Sequence, residues 1–297
     1  MFKRCRDAGI NFFDTADMYG GGRAEEILGE CIAGSRDEIV LATKVYYPTG
    51  ADVNAKGLSR RHILRAVEAS LQRLRTDHID FYFVHVFDEK TPMEETLRAL
   101  NHLQAQGKIL YPAVSNWAAW QIAKALGICA QEQLARVELI QPMYNLVKRQ
   151  VEVEILPLAL SEQIGVITYS PLGAGLLTGK YGVNKRPNQG RLIDEARYRA
   201  RYADGMNFEV AEGFAAYAEE HGVNPATMAV AWVMSHPAIT APIVGARNVQ
   251  QLEPSLAAID FEMTPEWRAE ISALSVTPAP STDRAEILDP NVPSGPQ

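Results

Sequence analysis

The chain alternates between short apolar runs and longer segments with the periodicity of an amphipathic helix. Seven runs rich in β-branched or aromatic residues are present: Ile10–Thr15, Ile39–Val45, Ile79–Val86, Ile109–Ser115, Val137–Gln141, Val166–Ser170 and Ala241–Gly245. Helix-forming segments lie between or after them, among them Arg23–Gly34, Ser59–Leu74, Thr91–Gln106, Trp117–Leu126, Val151–Gln163 and Pro225–Ser235. Strands that alternate with helices predict parallel pairing through right-handed crossovers.

The strand runs are apolar at nearly every position, which is typical of strands covered on both faces. No run leads into a G-x-G-x-x-G turn, and the glycines at 20–22 do not match that spacing. The pattern therefore favours a (β/α)8 TIM barrel, in which functional groups lie at the carboxyl ends of the strands. We expect one barrel domain over residues 1–297, with seven strands and a poorly ordered C-terminal tail from about residue 278.

Composition and charge narrow the class of protein further. The chain has 297 residues, 47% of them apolar, and a formal net charge of -7 with both signs mixed throughout. This argues against nucleic acid or a membrane surface as a partner. The three cysteines are far apart and lack C-x-x-C spacing, so we expect a reducing, cytoplasmic location and no metal site.

The start of the chain indicates no secretory signal. Residues 221–246 carry no charge, but Pro225, Pro237 and Pro242 predict a helix and a strand there rather than a membrane span.

Ionisable side chains stand where three successive strand runs end. Asp14 and, shortly after it, Tyr19 follow the first run, Lys44 ends the second, and His85 ends the third. Together they suit the reduction of a carbonyl. A tyrosine has a reference pKa of about 10 and is a poor acid at neutral pH, but a nearby ammonium favours its phenolate. Asp14 would keep Lys44 charged, Tyr19 would donate a proton to the developing alkoxide, and His85 would orient the carbonyl oxygen.

Stretches that include these residues resemble the aldo-keto reductase family over nearly the whole chain. The matching stretches are GINFFDTADMYG, IVLATKV, IDFYFVH followed by TPMEETLRAL, GKILYPAVSNW, IQPMYNL, YSPLGAGLLTGKY and GARNVQQLEPSL. The resemblance implies a (β/α)8 barrel that binds NADPH without a Rossmann domain. It also implies that the catalytic tetrad is Asp14, Tyr19, Lys44 and His85.

The same resemblance implies which residues bind the cofactor. Three would hold the nicotinamide carboxamide: Ser115, Asn116 and Gln141. Tyr169 would stack on the nicotinamide. Four resemble the pyrophosphate loop: Ser170, Leu172, Gly173 and Lys180. Three resemble the clamp on the adenosine phosphate: Gly245, Arg247 and Gln251. A preference for NADPH over NADH rests on Arg247 and Arg191.

Two departures from the family are visible. Pro254 and Ser255 replace the Glu and Asn that family members commonly carry in the adenine-end helix. The chain also starts at the segment that follows the family's N-terminal hairpin and first barrel strand. A sheet that lacks a strand has unpaired edges, so we expect an opening between the strand at Ile10 and the one at Ala241. Our hypothesis is that the true start lies upstream of Met1; the alternative is that the tail or a second chain covers the edges.

The leading hypothesis is an NADPH-dependent reductase of an aldehyde or ketone, an oxidoreductase with a small-molecule carbonyl substrate. The loop Tyr46–Gly57 with Met18, Phe87 and Trp117 is a candidate substrate mouth, although each aromatic is as readily explained by packing on the rim. A second hypothesis is a cofactor-binding regulatory module that resembles potassium-channel β subunits. A third is an unrelated barrel lyase or isomerase with Lys44 as a Schiff-base amine. The sequence leaves the substrate and the oligomeric state open.

Overall fold

Residues 1–284 are described in a computed structural model, and they form two compact units. Unit 1 comprises Met1–Pro142 and Gln163–Ile167, and unit 2 comprises Met143–Glu162 and the chain from Thr168 onward. The expectation of one barrel domain stays a prediction. Residues 276–284 form neither helix nor strand, and the rest of the predicted tail, residues 285–297, lies outside the described residues.

Seven strands follow one another in chain order within one sheet. They are β1 (Phe12–Asp14), β2 (Val40–Val45), β3 (Ile79–Val84), β4 (Ile109–Ser115), β5 (Leu139–Gln141), β6 (Gly165–Thr168) and β7 (Ala241–Pro242). The pairs from β1·β2 to β5·β6 are parallel. This confirms the predicted α/β fold of the (β/α)-barrel class with seven strands, one fewer than eight.

Helices connect the strands, as the periodicity predicts. Unit 1 contains α1 (Phe2–Asp7), α2 (Arg23–Ile32), α3 (Arg60–Leu74), α4 (Met93–Ala105) and α5 (Ala119–Glu132). Unit 2 contains α6 (Ile155–Ser161), α7 (Arg191–Asp194), α8 (Ala196–Arg201), α9 (Met206–Glu220), α10 (Pro225–Met234), α11 (Val249–Leu256) and α12 (Pro265–Ala273). Helix α3 begins as predicted, because the Ser59 side chain accepts a hydrogen bond from the His62 amide at 3.3 Å.

Some boundaries differ from the prediction for identifiable reasons. Helix α5 was expected to end at Leu126, yet it continues through Gly127, since one glycine costs only about 1 kcal/mol relative to alanine. Helix α6 was expected to begin at Val151 and begins at Ile155. A proline fits only the first turn of a helix, and Pro157 therefore requires a start close before it.

The uncharged stretch 221–246 forms helix α10 and strand β7, as predicted. Strand β7 is shorter than the expected run Ala241–Gly245, because Pro242 has no amide hydrogen to donate to a neighbouring strand. The Ile243 amide donates to the Thr168 carbonyl oxygen at 2.7 Å. No helix within residues 1–284 is long and apolar enough to cross a membrane.

Candidate active site

Asp14 and Lys44 form a buried ion pair in unit 1. They end neighbouring parallel strands, β1 and β2, so their side chains reach the same end of the sheet. Lys44 Nζ donates to Asp14 Oδ2 at 2.5 Å and to the Thr15 carbonyl oxygen at 2.7 Å. The Lys44 side chain is 0% exposed. The predicted pair is therefore present, and it holds the amine at a fixed position.

Burial and charge act on Lys44 in opposite directions. Burial lowers its pKa from the usual 10.5, while the charge and hydrogen bond of Asp14, and then the charges of Asp17 and Glu25, raise it. Removal of an ammonium from water disfavours its charged form, and an adjacent carboxylate restores it. Asp14 is thus the main group that keeps Lys44 cationic.

Tyr19 lies over this amine. It follows β1 and begins a 3-10 turn, Tyr19–Gly22. Gly20, Gly21 and Gly22 have φ angles of 58°, 65° and 95°, a conformation that glycine adopts without strain. Lys44 Nζ is 5.2 Å from the centre of the Tyr19 ring, and Tyr19 is 40% exposed. A phenol that reaches solvent therefore lies beside a buried ammonium.

His85 is the fourth member of the predicted tetrad, and it lies against the Tyr19 ring. Their ring centres are 5.9 Å apart in an edge-on arrangement, and the Tyr47 ring packs edge-on on His85 at 4.9 Å. Burial, assisted by the positive charge of Lys44, lowers the pKa of His85 to about 3. The imidazole is neutral at physiological pH, so it can offer one hydrogen-bond donor to a carbonyl oxygen.

Three predicted carboxamide-binding residues are linked to the tetrad by hydrogen bonds. Gln141 Nε2 donates to Asp14 Oδ1 at 2.9 Å, and Ser115 Oγ donates to the Gln141 carbonyl oxygen at 2.8 Å. Asn116 Nδ2 donates to Ser115 Oγ at 2.9 Å and to the His85 carbonyl oxygen at 3.0 Å. Unit 1 therefore brings all seven predicted residues of this region into one connected cluster.

The predicted substrate mouth is built from aromatic contacts. Tyr46 and Tyr47 have ring centres 5.2 Å apart, and Phe87 packs edge-on against Trp117 at 5.1 Å. Trp117 is only 5% exposed, so it packs on the rim, whereas the Tyr47 ring directly borders His85. Tyr47 is thus the aromatic of this group that contacts the tetrad.

Unit 2 holds the remaining predicted cofactor residues, beginning after strand β6. Tyr169 pairs through its backbone with Met143 and accepts a hydrogen bond from the Tyr144 amide at 3.3 Å. Ser170 has a φ of 60°, and its carbonyl accepts from Asn145 Nδ2 at 2.9 Å. The Tyr169 position is therefore set by the neighbouring segment that begins at Met143.

A left-handed loop follows in unit 2. Gly173, Ala174 and Gly175 have φ angles of 56°, 58° and 95°, and Leu172 packs on a core that includes Val230. Successive amides in such a loop can point to one side and receive an anion. This geometry suits the predicted pyrophosphate loop.

Three cations lie close to one another in unit 2. Burial lowers the pKa of Lys180, and the charges of Arg247 and Arg191 lower it further. A Cβ on Gly175 would lie 3.1 Å from Lys180 Nζ, so this glycine permits the lysine its position. Mutual repulsion among cations is relieved by a phosphate, and the side chains present therefore fit an anionic ligand.

The end of the predicted clamp lies at the start of helix α11. Gln251 Oε1 accepts from the Arg247 amide at 3.3 Å, and the Gln251 amide donates to Asn248 Oδ1 at 2.9 Å. Gly245 has open space where a Cβ would stand. Ser255 is buried in α11 and Pro254 lies inside the same helix.

The sequence did not indicate a second buried group of charges in unit 1. Asp17 and Glu25 are 2% and 0% exposed, and Glu25 pairs with Arg73 at 2.7 Å. Glu25 lies in the first turn of a helix, where the helix dipole ordinarily explains an acidic residue, and Asp17 lies in the loop before Tyr19, so neither gives a local signal of burial. Within residues 1–284, no group of His, Cys, Asp and Glu side chains is arranged to hold a metal ion.

Comparison with known protein families matches residues 1–276 to the Aldo/keto reductase family. The chain belongs to this family, which is one of oxidoreductases. This confirms the resemblance drawn from the motifs.

Individual relatives carry two kinds of name. A probable voltage-gated potassium channel subunit beta of Arabidopsis thaliana is 40% identical over 263 residues, which cover 86% of this chain and 80% of that protein. A protein of the same name from Oryza sativa is 37% identical over 282 residues, 92% of this chain and 86% of that protein. An uncharacterized oxidoreductase of Bacillus subtilis is 35% identical over 291 residues, 94% of this chain and 87% of that protein.

Proposed function

We propose that the chain is an NADPH-dependent reductase of aldehydes or ketones, with Tyr19 as the proton donor. The observation that carries this proposal is the position of the Tyr19 ring over the buried Lys44–Asp14 pair. A cation in this place favours the phenolate left after proton transfer, and so strengthens the phenol as an acid. Because Lys44 is withdrawn from solvent and held by Asp14, its charge acts without reorganisation.

Each remaining group has a role in this proposal. Neutral His85 orients the carbonyl oxygen toward Tyr19, and Gln141 holds Asp14 in line with Lys44. Ser115 and Asn116 bind the nicotinamide carboxamide. Bound NADPH supplies a hydride to the carbonyl carbon. The neighbouring Tyr47 ring gives a flat apolar wall, which favours an aliphatic or aromatic carbonyl over a highly charged one.

Unit 2 would bind the charged part of the cofactor. Tyr169 would stack on the nicotinamide. The loop that includes Ser170, Leu172 and Gly173 would border the phosphates, and Lys180 would neutralise them, since the Gly173 amide donates within the loop to the Ser170 carbonyl oxygen. Arg247 and Arg191, whose charges act on Lys180, would favour the extra phosphate of NADPH. Gly245 and Gln251 would shape the adenosine end.

A panel of aldehydes and ketones tests the proposed activity. We expect NADPH absorbance to fall with at least one aliphatic or aromatic member, and NADH to be used less well. Binding of NADPH, followed by fluorescence quenching, is measured in parallel. Binding without oxidation across the whole panel would contradict the reductase.

A second candidate is a cofactor-binding regulatory subunit with little turnover. It is favoured by the relatives whose names describe potassium channel β subunits. Binding without oxidation in the panel would support it. The Schiff-base alternative is disfavoured by the two hydrogen bonds that occupy Lys44 Nζ, and borohydride trapping with a carbonyl would reveal it.

A further inference from the structure

A second group of buried charges lies on the other face of strand β2 from Lys44. Successive side chains of a strand point to opposite faces, so Thr43 faces the helices when Lys44 faces the tetrad. Thr43 Oγ1 donates to Glu25 Oε1 of helix α2 at 2.5 Å. Arg73 Nε of helix α3 donates to the other oxygen, Oε2, at 2.7 Å. Tyr82 of β3 is in register with Thr43 and is fully buried on the same face.

Asp17 adds a second carboxyl to this group, which we call the acid cluster: Asp17, Glu25, Arg73 and Tyr82. Asp17 is 2% exposed, and neither of its carboxyl oxygens has a hydrogen-bond partner among the described residues. The buried Tyr82 hydroxyl likewise has no hydrogen-bond partner among the described residues. An ionised carboxylate without such partners is costly to bury. One guanidinium therefore faces two carboxyl groups, of which only Glu25 is satisfied as an anion.

Burial and neighbouring charges together decide the pKa of Asp17. Burial and then the charge of Glu25 raise the pKa of Asp17 to about 7, while Arg73, the Met18 amide and finally Lys44 lower it. Burial, and then the charges of Asp17 and Glu25, raise the pKa of Tyr82 well above its usual value of 10. Asp17 is thus half protonated near pH 7 and carries a proton in more acidic solution.

The acid cluster is attached to the loop of the candidate proton donor at two points. The Asp17 amide donates to the Lys44 carbonyl oxygen at 3.2 Å, two residues before Tyr19. After Tyr19, a Cβ on Gly22 would lie 2.9 Å from Arg73 Cδ, so the arginine stem packs directly on the turn. Both ends of the segment Asp17–Gly22 are therefore held by groups of the cluster or its neighbour.

We propose that Asp17 is a positioning residue: as a neutral, buried carboxyl it leaves Arg73 paired with Glu25 and packed on the Gly22 turn, and so preserves the loop that places Tyr19 over Lys44. This inference rests on the proposed function. With the proton present, the charges of the two carboxyl groups and the guanidinium sum to zero. Loss of the proton leaves one excess negative charge, which attracts Arg73 away from Glu25 and from the Gly22 turn.

One member of the cluster reaches the protein surface. Arg73 lines a surface cavity of about 280 Å³ whose other lining residues are Arg23, Glu26, Glu30, Gln72 and Arg75. The Arg73 side chain is 24% exposed although its partner Glu25 is 0% exposed. The guanidinium therefore has room on its outer side to move away from Glu25.

Thermal stability as a function of pH tests the cluster without reference to turnover. The variant is Asp17→Asn, which keeps the shape of the neutral carboxyl, and the control is Asp7→Asn, which removes a charge at an exposed site on α1. The folded pKa of Asp17 lies above the unfolded value of 3.8, so the folded state binds the extra proton between those values and loses relative stability as pH rises to about 7. We expect Asp17→Asn to have a higher Tm than the wild type at pH 8, and this advantage to shrink at pH 5. An advantage that does not change with pH would overturn the proposal.

The pH profile of turnover tests the positioning role. We expect wild-type kcat to fall several-fold as the proton is lost around pH 7, with little change in the KM for NADPH, and Asp7→Asn to behave likewise. Asp17→Asn should retain the rate of the protonated form through pH 8. Identical profiles for the wild type and Asp17→Asn would overturn the proposal. If the wild type oxidises no NADPH with any carbonyl, the proposed reductase fails while the stability experiment still decides on the cluster.

An infrared measurement on the wild type covers the case in which Asp17→Asn does not fold. A protonated buried carboxyl absorbs apart from a carboxylate. We expect a carboxylic-acid band at pH 6 that disappears by pH 8.5 in a difference spectrum. Absence of such a band at pH 6 would contradict the retained proton.

Discussion

The two units of this chain hold their candidate functional groups in opposite ways. In unit 1 the groups end strands, and Lys44 is buried and connected by direct bonds to Asp14 and Thr15. In unit 2 the groups lie on loops and in the first turns of helices α7 and α11, and Arg191 and Arg247 are exposed. A proton transfer depends on distances of tenths of an ångström, whereas a phosphate is attracted by charge from several directions. We therefore expect single substitutions in unit 1 to change the rate of carbonyl reduction, and those in unit 2 to change the affinity for NADPH.

Among the substitutions considered, replacement of Tyr19 by phenylalanine should have the largest effect on the rate of reduction. We expect kcat for carbonyl reduction to fall about a thousandfold, because the general acid is lost. NADPH affinity should stay within a few-fold, since the ring remains over Lys44. Tyr47→Phe is the matched control, because it removes a hydroxyl from the ring that also packs on His85. If Tyr19→Phe keeps a kcat within a few-fold of the wild-type value, Tyr19 is not the proton donor.

Replacement of Lys44 by methionine should reveal how far unit 1 depends on a buried pair. Loss of one partner leaves the other charge poorly compensated, and we expect a decrease of about 3 kcal/mol in the free energy of unfolding. Arg98→Met is the control, since its pair with Glu132 is largely exposed and should contribute at most about 1 kcal/mol. Urea unfolding measures both. Equal decreases in the free energy of unfolding of the two variants would contradict a larger contribution from the buried pair.

The sequence predicted the tetrad because the carboxyl ends of parallel strands converge. Asp14, Lys44 and His85 each stand where an apolar run ends, and the strands that carry them are neighbours in the sheet. Tyr19 lies five residues beyond Asp14, and its place depends on three glycines in the turn that follows. The seven strands could be counted from the same apolar runs.

Other features depend on contacts that no local pattern encodes. The bond from Gln141 to Asp14 joins residues that are 127 positions apart. Glu25 has the sequence context of an exposed residue in the first turn of a helix, and only the packing of α2 against β2 and α3 buries it beside Asp17. In unit 2, the short helices α7 and α8 lie in a polar segment without clear periodicity, so they were not predicted.

Charge removal in unit 2 should weaken cofactor binding without slowing the chemical step. We expect Lys180→Met and Arg247→Met each to raise the Kd of NADPH about tenfold, and the effect to diminish as salt is added. The rate at saturating NADPH should change little. Arg197→Met, an exposed cation of helix α8, is the control. If either substitution greatly lowers the rate at saturating NADPH and leaves the Kd of NADPH unchanged, the assignment of cofactor binding to these unit 2 residues is wrong.

The smallest effect concerns the pH dependence that His85 contributes. Its pKa of about 3 lies below the usual 6.5, so the folded protein leaves it neutral where the unfolded chain begins to bind a proton. Stability from this group is therefore complete above pH 6.5 and is lost as pH falls toward 3. We expect the His85 ring in the wild type to show no titration between pH 5 and 8 by NMR, and His85→Gln to lose less stability than the wild type when acidified from pH 7 to 5. A His85 signal that titrates near pH 6.5 would mean that neither burial nor the charge of Lys44 keeps this imidazole neutral, and the rigid electrostatics assigned to unit 1 would have to be abandoned.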